Sequence, residues 1–538
     1  MSALPSDRVA DGAVLADHVL AAAAAHPDRL AAVVPRRGGG WAVLTYAELA
    51  ARSAAVARGL LASGVSPGER VGLLVPPDRD FVVLAVGLLR AGVVPVLVDP
   101  GIGRRAMGDC LREADPAAFV GVGRAVAAAR ALGWCPRARL RVTTTKPLPG
   151  ALTLAALERA GTAERPLPAP RLDDPAAVLF TSGSTGPPKG VVHRHRALVA
   201  QRAAVRDLLA VRDGEVLLAT FPPFALFGPA LGLTTVVPRM DPTRPGAVDP
   251  RAVLQAAGDF GATVMFGSPA LLDTVARGAG SRRAPTLRRV VSAGAPVPRD
   301  LQRRVLALLG DGAEVLTPYG ATEALPVTSV SSRELLALAE PGICLGRPLP
   351  GVDLRLVRVD DGPQETVGEE VAPGEVGEVV VRGDVVSDAY LHRPRADALA
   401  KTRWDGAVAH RTGDLAWRDG AGRLWSAGRK GHRVVTPDGT LHSVPVEEVF
   451  DRHPAVRHSA LVGVAGRPVL CVELLPGRRG TDALTGELLA LGAMDTAAAR
   501  VRTVLYHPRF PVDVRHNSKI GREELARWAA RRLRRARA

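Results

Sequence analysis

A dense run of hydroxyl residues and glycines, closed by a lysine, spans residues 181–190 (Thr-Ser-Gly-Ser-Thr-Gly-Pro-Pro-Lys-Gly). Glycine lets backbone N–H groups approach phosphate oxygens, the hydroxyls add donors, and the Lys189 ammonium neutralises negative charge. The spacing differs from the common P-loop, because Gly190 rather than Ser or Thr follows the lysine. A glycine- and serine-rich loop without a ligand is the alternative. The terminal lysine favours a loop that grips a nucleotide triphosphate.

Three further groups could complete a nucleotide site. In residues 319–323 (Tyr-Gly-Ala-Thr-Glu), the tyrosine can stack on a purine, while Thr322 and Glu323 can face phosphate and Mg²⁺. Mg²⁺ takes oxygen ligands and usually keeps several waters, so one carboxylate suffices. Asp414, in a Thr-Gly-Asp turn, could accept ribose hydroxyls, and Lys519 follows Asn-Ser in a polar turn. Taken singly, these groups are also explained by a Tyr-Gly turn before a helix, an ordinary Asp turn and an exposed lysine.

The elements that must position these groups alternate along the chain. Helix-like periodic segments and short β-branched runs follow one another through the first 300 residues, which predicts parallel sheets covered by helices. The strand candidates are Val71–Val75, Val93–Val98, Ala177–Phe180, Val216–Ala219, Thr263–Phe266 and Val290–Ser292. From about Gly346 to Asp384, strand-like runs between acidic turns predict a smaller antiparallel subdomain. A separate unit with a helical, arginine-rich end follows residues 428–431.

Composition bounds the class of protein. The chain has 538 residues, 47% hydrophobic and 23% charged, so at least two globular domains are expected. A net charge of +16 invites a nucleic-acid partner, but the arginines are scattered and aromatic residues make up only 4%. A uniform arginine bias is the preferred explanation, and no nucleic-acid partner is expected.

The cellular compartment is indicated by cysteine usage and by apolar runs. The four cysteines stand far apart, which argues against a disulfide framework or a structural zinc site and fits a reducing cytoplasm. The longest apolar stretch, Phe81 to Val98, is broken by Arg90 and Pro95. It predicts a buried helix followed by a buried strand rather than a membrane span. We therefore expect a cytoplasmic protein without a transmembrane segment.

In their order along the chain, these motifs resemble those of the adenylate-forming superfamily of acyl-CoA synthetases, peptide-synthetase adenylation domains and luciferases. Ser-Ala-Gly-Ala-Pro at 292–296 and Gly428-Arg429 fall in the same order, and residues 44–49 and 64–70 are also similar. The resemblance implies an α/β fold. A large N-terminal domain, residues 1–427, would contain parallel sheets flanked by helices and a small β-barrel-like subdomain. A small mobile α+β lid, residues 428–538, would carry a catalytic lysine.

The resemblance also implies roles for individual residues. Lys519 would bridge the substrate carboxylate and the α-phosphate, Thr322 would touch that phosphate, and Glu323 would hold Mg²⁺. Asp414 would bind the ribose hydroxyls beside Arg429. The residues that would bind ATP are Thr181, Ser182, Gly183, Ser184, Thr185, Gly186, Lys189, Gly294, Ala295, Pro296, Tyr319, Gly320, Asp414 and Arg429. The acyl pocket would include Phe224, Ala225, Phe227 and Gly228.

Two departures from the superfamily pattern concern the acyl site and the lid. Ala225 stands where many relatives have a histidine or another large ring near the acyl carboxylate, and this leaves room beside the reacting carbon. Gly431 occupies the hinge position where an acidic residue or a lysine is common. The Pro445-Val-Glu447 motif comes about three residues late, which puts the usual thiol-acceptor surface in doubt.

Several longer sequence segments are similar to those of olefin β-lactone synthetases: residues 317–327, 241–245 and 510–520. That resemblance implies ATP-dependent conversion of a 2-alkyl-3-hydroxy fatty acid to a β-lactone, with release of AMP and diphosphate. It also implies association with other enzymes of an olefin or β-lactone pathway: a thiolase-like enzyme, a reductase and a lactone decarboxylase. A long-chain acyl-CoA ligase or acyl-AMP/carrier-protein ligase is the alternative enzyme. A non-catalytic or nucleic-acid-binding protein that uses the basic surface is the alternative from another class, disfavoured by Lys189, Glu323, Asp414 and Lys519.

Overall fold

The computed structural model describes residues 4–7, 9–36, 38–181, 187–511 and 520–535. The chain divides into two compact units. The first unit takes in the chain up to Val327, together with Leu349–Val352 and Gly383–Asp397. The second takes in Thr328–Pro348, Asp353–Arg382 and the chain from Ala398 onward. The domain boundary expected after residue 427 stays a prediction.

The strands have the following bounds in chain order: β1 Leu30–Pro35, β2 Trp41–Thr45, β3 Arg70–Leu74, β4 Val94–Val98, β5 Ala118–Gly121, β6 Leu140–Thr143, β7 Leu152–Thr153, β8 Pro175–Thr181, β9 Lys189–Arg194, β10 Val216–Ala219, β11 Thr234–Val236, β12 Val264–Phe266, β13 Arg289–Val291, β14 Glu314–Ala321, β15 Ala324–Ser331, β16 Cys344–Pro348, β17 Asp353–Val357, β18 Gly377–Arg382, β19 Ala389–Tyr390, β20 Lys401–Trp404, β21 Ala407–Arg418, β22 Leu424–Arg429, β23 Val434–Thr436, β24 Gly439–Leu441, β25 Val456–Val464, β26 Arg467–Leu474 and β27 Val504–Tyr506.

The α-helices have these bounds: α1 Leu15–Ala25, α2 Tyr46–Ala62, α3 Arg79–Arg90, α4 Arg104–Ala114, α5 Gly123–Ala131, α6 Leu154–Ala160, α7 His195–Leu208, α8 Pro222–Ala230, α9 Pro250–Asp259, α10 Pro269–Gly278, α11 Arg299–Leu306, α12 Ser332–Ala337, α13 Pro394–Ala400, α14 Ser443–Asp451, α15 Asp482–Ala493 and α16 Arg522–Arg535.

Two sheets form the first unit. One has the strand order β19-β9-β8-β4-β3-β5-β6-β7. Its pairs from β8 to β7 are parallel, whereas the pairs β8–β9 and β9–β19 are antiparallel. The other runs β2-β1-β11-β10-β12-β13-β14, with parallel pairs from β1 to β14. Helices cover these sheets, as the alternating sequence pattern predicts, because parallel strands joined by crossover helices bury both faces.

The apolar stretch from Phe81 to Val98 forms a helix and then a strand, as predicted. Asp78 caps α3 by accepting a hydrogen bond from the Phe81 N–H at 3.0 Å. Residues 81–89 of this helix are all buried. Gly92, with φ of +65°, then turns the chain into β4. No helix in the described part of the chain is long and apolar enough to cross a membrane.

The second unit contains an antiparallel sheet in the order β16-β22-β21-β18-β17, with β20 also paired to β21. Its antiparallel character agrees with the prediction for residues 346–384, while closure into a barrel stays a prediction. Farther along the chain, β23 and β24 form a hairpin, and β25, β26 and β27 form a small sheet. Helix α14 packs on β25, and Phe450 of that helix is fully buried.

Candidate active site

The strand order of the second sheet of the first unit changes direction at β10. The chain leaves β10 toward β11 on one side, while β12 pairs with β10 on the other side. Ligands of open α/β sheets bind outside the carboxyl ends of the strands at such a point. Phe221 follows β10, the 292–296 loop follows β13, and Tyr319 lies within β14. Strand β14 extends through Tyr319 to Ala321.

The loop after β13 combines a buried hydroxyl with an exposed turn. Ser292 is only 1% exposed, and its Oγ forms no hydrogen bond with the described residues. Gly294 has φ of +95°, in the region that favours glycine. Gly294 and Pro296 are exposed, and Ala295 is half-buried.

A lysine, a tyrosine and a glutamate stand in a row at the edge of the first sheet. The Lys189 Nζ lies 4.9 Å from the centre of the Tyr390 ring. The Tyr390 hydroxyl donates to Glu323 Oε1 at 2.7 Å. We call this arrangement the Lys189–Tyr390–Glu323 row. It connects the lysine of the phosphate motif to the expected metal carboxylate.

Tyr390 is the member of the row that sequence reasoning missed. It lies in β19, which pairs with β9 through Tyr390 and Val191. The Ser387 N–H donates to the Glu323 carbonyl at 2.8 Å. The segment from Gly383 to Asp397 therefore fixes both the backbone and the side chain of the glutamate. No local motif marks Tyr390, because its role depends on pairing with a strand about two hundred positions earlier.

The expected metal motif is a β-hairpin turn rather than the start of a helix. Residues Thr322 and Glu323 connect β14 to β15. A Cβ added to Gly320 would lie 2.7 Å from the Ala324 carbonyl oxygen, so only glycine fits without a shift of backbone. The tight turn leaves Thr322 and Glu323 partly exposed beside one another.

Part of the expected site lies outside the described residues. Thr181 ends β8 and is the register partner of Lys189 in β9, so the strands that flank the phosphate motif are defined. Ser182, Gly183, Ser184, Thr185 and Gly186 are outside the described residues, as is Lys519. Their roles stay predictions.

Helix α8 carries the residues expected in the acyl pocket, on two different faces. Phe224 stacks on Phe266 with ring centres 4.2 Å apart, and Phe227 lies 6.5 Å from Phe224. Both are partly exposed. Ala225, by contrast, is 1% exposed and belongs to the core cluster beneath α8. A Cβ on Gly228 would meet Thr235 Oγ1 at 1.9 Å, so this glycine allows the close packing of α8 on β11.

In the second unit, Asp414 and Arg429 face one another across a strand pair. They are register partners in β21 and β22, and Arg429 Nη1 lies 3.0 Å from Asp414 Oδ1. Residues 412–414, expected as a turn, lie within β21, where the register with β18 shifts between Arg411 and Leu415 and Asp414 pairs with Arg429. Gly413 adopts φ of +69° within it, and the Asp414 N–H donates to Thr412 Oγ1 at 3.1 Å. The strand pair thus presents a carboxylate and a guanidinium together.

The chain directly after Arg429 is held by buried charges. Lys430 Nζ lies 3.0 Å from Glu378 Oε1, and Arg411 Nη2 donates to Glu378 Oε2 at 2.8 Å. Glu378 is 1% exposed. Removing one member of a buried ion pair typically costs ~3–5 kcal/mol, since the other charge is left uncompensated. Gly431 itself is exposed, and a Cβ there would meet nothing within 4 Å.

The glutamate of the Pro445-Val-Glu447 motif makes contacts within the second unit. Glu447, in α14, is 8% exposed and accepts hydrogen bonds from the Leu461 N–H at 2.8 Å and from Arg522 Nη2 at 2.5 Å. Burial raises the pKa of Glu447, against the lowering effect of Arg522. Glu447 therefore anchors the first residue of α16, three positions beyond Lys519.

The described donors fit a nucleotide bound with one divalent cation. Within the described ranges there is no group of three or more His, Cys, Asp or Glu side chains that could hold a metal ion. Glu323 is a single oxygen ligand, and Mg²⁺ in such sites is held by one or two carboxylates and by substrate phosphates. Lys189, which Tyr390 links to Glu323 within the first unit, adds a positive charge that suits phosphate.

These features define a class of protein, and comparison with known proteins agrees. Residues 19–391 match the AMP-binding enzyme family, and the chain belongs to that family. It is 47% identical over 532 residues to an olefin β-lactone synthetase of Stenotrophomonas maltophilia, covering 94% of this chain and 96% of that one. A Xanthomonas campestris protein of the same description is 46% identical over 530 residues, covering 94% and 95%.

A solved structure supports the fold. An anthranilate CoA ligase in complex with anthranoyl-AMP superposes with a TM-score of 0.77 at 22% identity, covering 98% of this chain and 99% of that chain. The expected α/β fold is confirmed, and so is the resemblance to adenylate-forming enzymes. The chain is an AMP-forming ligase.

Proposed function

We propose that this ligase is a β-lactone synthetase that uses ATP and Mg²⁺. Its substrate is a 2-alkyl-3-hydroxy fatty acid, and its products are a β-lactone, AMP and diphosphate. The observation that carries the proposal is the 46–47% identity to two relatives described as olefin β-lactone synthetases, over 94% of the chain. Similarity of that extent covers nearly all of this chain and of both relatives.

The first step joins the acid to the nucleotide. A carboxylate oxygen of the substrate attacks the α-phosphorus, and the bond to the β-phosphate breaks, with diphosphate leaving. Lys189, with the hydroxyl residues of its motif, holds the β- and γ-phosphates, and Thr322 contacts the α-phosphate. Glu323 holds Mg²⁺, which supplies neutralisation of the phosphate charge. Lys519 contributes positive charge where the transition state gains negative charge.

The adenine and the ribose of ATP are bound by different groups. Tyr319 stacks on the adenine beside Gly294, Ala295 and Pro296. The Asp414 carboxylate accepts hydrogen bonds from the ribose hydroxyls. The ion pair with Arg429, at 3.0 Å, supports this role because it holds the carboxylate in a defined orientation.

The second step needs no further substrate. The 3-hydroxyl oxygen attacks the activated acyl carbon, the bond to the AMP oxygen breaks, and the hydroxyl proton is released. Holding two reacting groups together can contribute ~7–11 kcal/mol in well-oriented intramolecular reactions. Strain in the four-membered ring opposes part of this gain. The enzyme must therefore hold one substrate conformer and exclude water.

The aromatic residues near α8 favour an apolar substrate. Phe221, Phe224 and Phe266 lie in mutual contact, with ring centres 4.2–6.5 Å apart. Phe224 and Phe227 are the partly exposed members of the expected pocket, so we assign the hydrocarbon chain to them rather than to Ala225, which packs into the core. The physiological setting we propose is cytoplasmic, among enzymes that supply the hydroxy acid and consume the lactone.

Product analysis tests the proposal. The purified chain is incubated with ATP, Mg²⁺ and a panel of 2-alkyl-3-hydroxy acids, with and without CoA, and products are identified by mass spectrometry. We expect β-lactone and one equivalent of AMP without CoA. If AMP release requires CoA and an acyl-CoA appears, the enzyme is an acyl-CoA ligase and the proposal is wrong.

A further inference from the structure

Helix α16, in the second unit, carries a stripe of exposed arginines. Arg527, Arg531 and Arg535 are spaced four residues apart, and all three are exposed. Arg534, also exposed, joins them, because side chains three and four residues apart lie on the same side of a helix. We call these four residues the α16 stripe. It extends over about 12 Å of the helix axis, at a rise of 1.5 Å per residue.

The opposite side of α16 fixes the direction in which the stripe faces. Leu525 and Ala529 are fully buried and belong to one core cluster with residues of β25 and β26. At the start of the helix, Arg522 Nη2 donates to Glu447 Oε2 at 2.5 Å. The stripe therefore faces solvent on a helix that is held both along its length and at its first residue.

The charges of the stripe are not compensated within the described part of the chain. Glu523 and Glu524 come one turn before Arg527, yet no ion pair joins either of them to the stripe. In α10, by contrast, Arg277 lies 2.8 Å from Asp273, one turn earlier in the same helix. Like charges four residues apart destabilise a helix, so the stripe weakens α16 unless an anionic partner offsets the repulsion.

The helix dipole explains only part of this pattern. Positive side chains are favourable in the last turn of a helix, where Arg534 and Arg535 lie. The effect falls off within one turn, so it does not account for Arg527 and Arg531. A partner with negative charge accounts for the whole stripe.

The chemistry of this surface favours an anionic membrane over a protein as the partner. Protein interfaces bury a core that is rich in apolar and aromatic side chains. In the described chain, the exposed large apolar side chains all lie outside α16. Attraction to an anionic bilayer needs only charge, and each arginine near such a surface strengthens binding roughly 5-fold.

We propose that the α16 stripe attaches the protein peripherally to a membrane surface that carries anionic lipid headgroups. Guanidinium groups pair well with the phosphate oxygens of such headgroups. The choice of a membrane over nucleic acid also rests on the proposed function, because a 2-alkyl-3-hydroxy fatty acid and its β-lactone are apolar and partition into a bilayer. Attachment places the enzyme where these molecules are concentrated.

Vesicle sedimentation with the full-length protein tests the attachment. Vesicles of equal parts phosphatidylglycerol and phosphatidylcholine are compared with vesicles of phosphatidylcholine alone, at low and high salt. We expect binding to the anionic vesicles only, and weaker binding at high salt because exposed charges are screened. The variant Arg527→Gln/Arg531→Gln/Arg534→Gln should bind at least roughly 10-fold more weakly. The corresponding triple Lys variant should retain most of the binding, since the attraction depends on charge.

A matched control is Arg104→Gln/Arg105→Gln/Arg124→Gln, which removes the same charge from exposed positions of the first unit and should bind like the parent. Equal binding of the parent and the α16 Gln variant, or equal binding of the parent to both kinds of vesicle, would overturn the inference. Tighter binding of the parent to duplex DNA than to anionic vesicles at the same salt concentration would also overturn it.

The proposed function is judged separately, by its products. Stripe-dependent vesicle binding by an enzyme that makes no β-lactone would leave the attachment standing and reject the β-lactone proposal. β-Lactone formation by an enzyme that does not bind anionic vesicles would reject the attachment alone.

Discussion

At the scale of single residues, the chemistry of the site depends on contacts as much as on residue type. Glu323 is a carboxylate in a turn, and its orientation is defined because Tyr390 donates to its Oε1 and the Ser387 N–H donates to its carbonyl. Lys189 is placed over the same tyrosine. One aromatic side chain therefore orients both charges that the phosphates and their metal would meet.

Replacing Tyr390 by Phe should preserve the ring under Lys189 and remove the hydrogen bond to Glu323. A hydrogen bond to a charged group contributes ~1.5–3 kcal/mol, so the Mg²⁺ concentration for half-maximal adenylation should rise by roughly 10-fold or more. The melting temperature should change little. Measuring diphosphate release as a function of Mg²⁺ concentration gives the half-maximal Mg²⁺ concentration of each variant.

A matched control for that experiment is Tyr506→Phe. It removes a phenol that contacts Thr485 Oγ1 at 3.0 Å in the second unit. The control should leave the Mg²⁺ dependence unchanged. If Tyr390→Phe behaves like the control, the tyrosine does not position the glutamate.

At the scale of elements, the sequence predicted the structure correctly where the signal is local. Runs such as Val216–Ala219 became strands at their expected positions, and the tight Gly320 turn kept Thr322 and Glu323 together. Residues 412–414 were expected as a turn because Gly and Asp favour turns locally, but they form an irregular part of strand β21, whose flanking residues pair with β18 and β22. Tyr390 and Glu378 were missed for the same reason, since their partners lie far away in the chain.

The hinge is the element that distinguishes this chain from thiol-using relatives in our account. Lys430 is held by buried Glu378, while Gly431 is exposed. We hypothesise that lactone forms with the lid near its adenylation position, because the acceptor hydroxyl lies within the substrate. Gly431→Pro restricts the backbone and should hinder a large swing. Lactone output should then fall little relative to diphosphate release in a single-turnover experiment.

Gly431→Ala is the control for that variant, because a Cβ at this position meets nothing within 4 Å. It should behave like the parent in both steps. Accumulation of enzyme-bound acyl-adenylate in Gly431→Pro, without lactone, would show that a large swing is required.

At the scale of the whole molecule, stability is linked to pH through histidines whose pKa is lowered in the folded state. Burial, followed by the charges of Arg522 and Arg429, lowers the pKa of His432 to about 4. The folded state therefore favours the neutral ring, and the stability this gives is complete above the unfolded value of about 6.5. It is lost as the pH falls from there toward 4.

His432→Gln should weaken the pH dependence of stability in that window. The free energy of unfolding, from urea titrations at several pH values between 6.5 and 4, should fall less steeply in the variant than in the parent. Part of the slope should remain, because burial also lowers the pKa of His18 and His195. Equal slopes would mean that His432 is not held neutral by the fold.

The central claim is that the substrate's own 3-hydroxyl is the acyl acceptor after the carboxylate has been activated. The most direct measurement uses a 2-alkyl-3-hydroxy acid labelled with ¹⁸O only at the 3-hydroxyl, with ATP and Mg²⁺ and without CoA. Mass spectrometry should find the label in the β-lactone ring and none in AMP. Label in AMP would show that the hydroxyl rather than the carboxylate was adenylated, and would contradict the account.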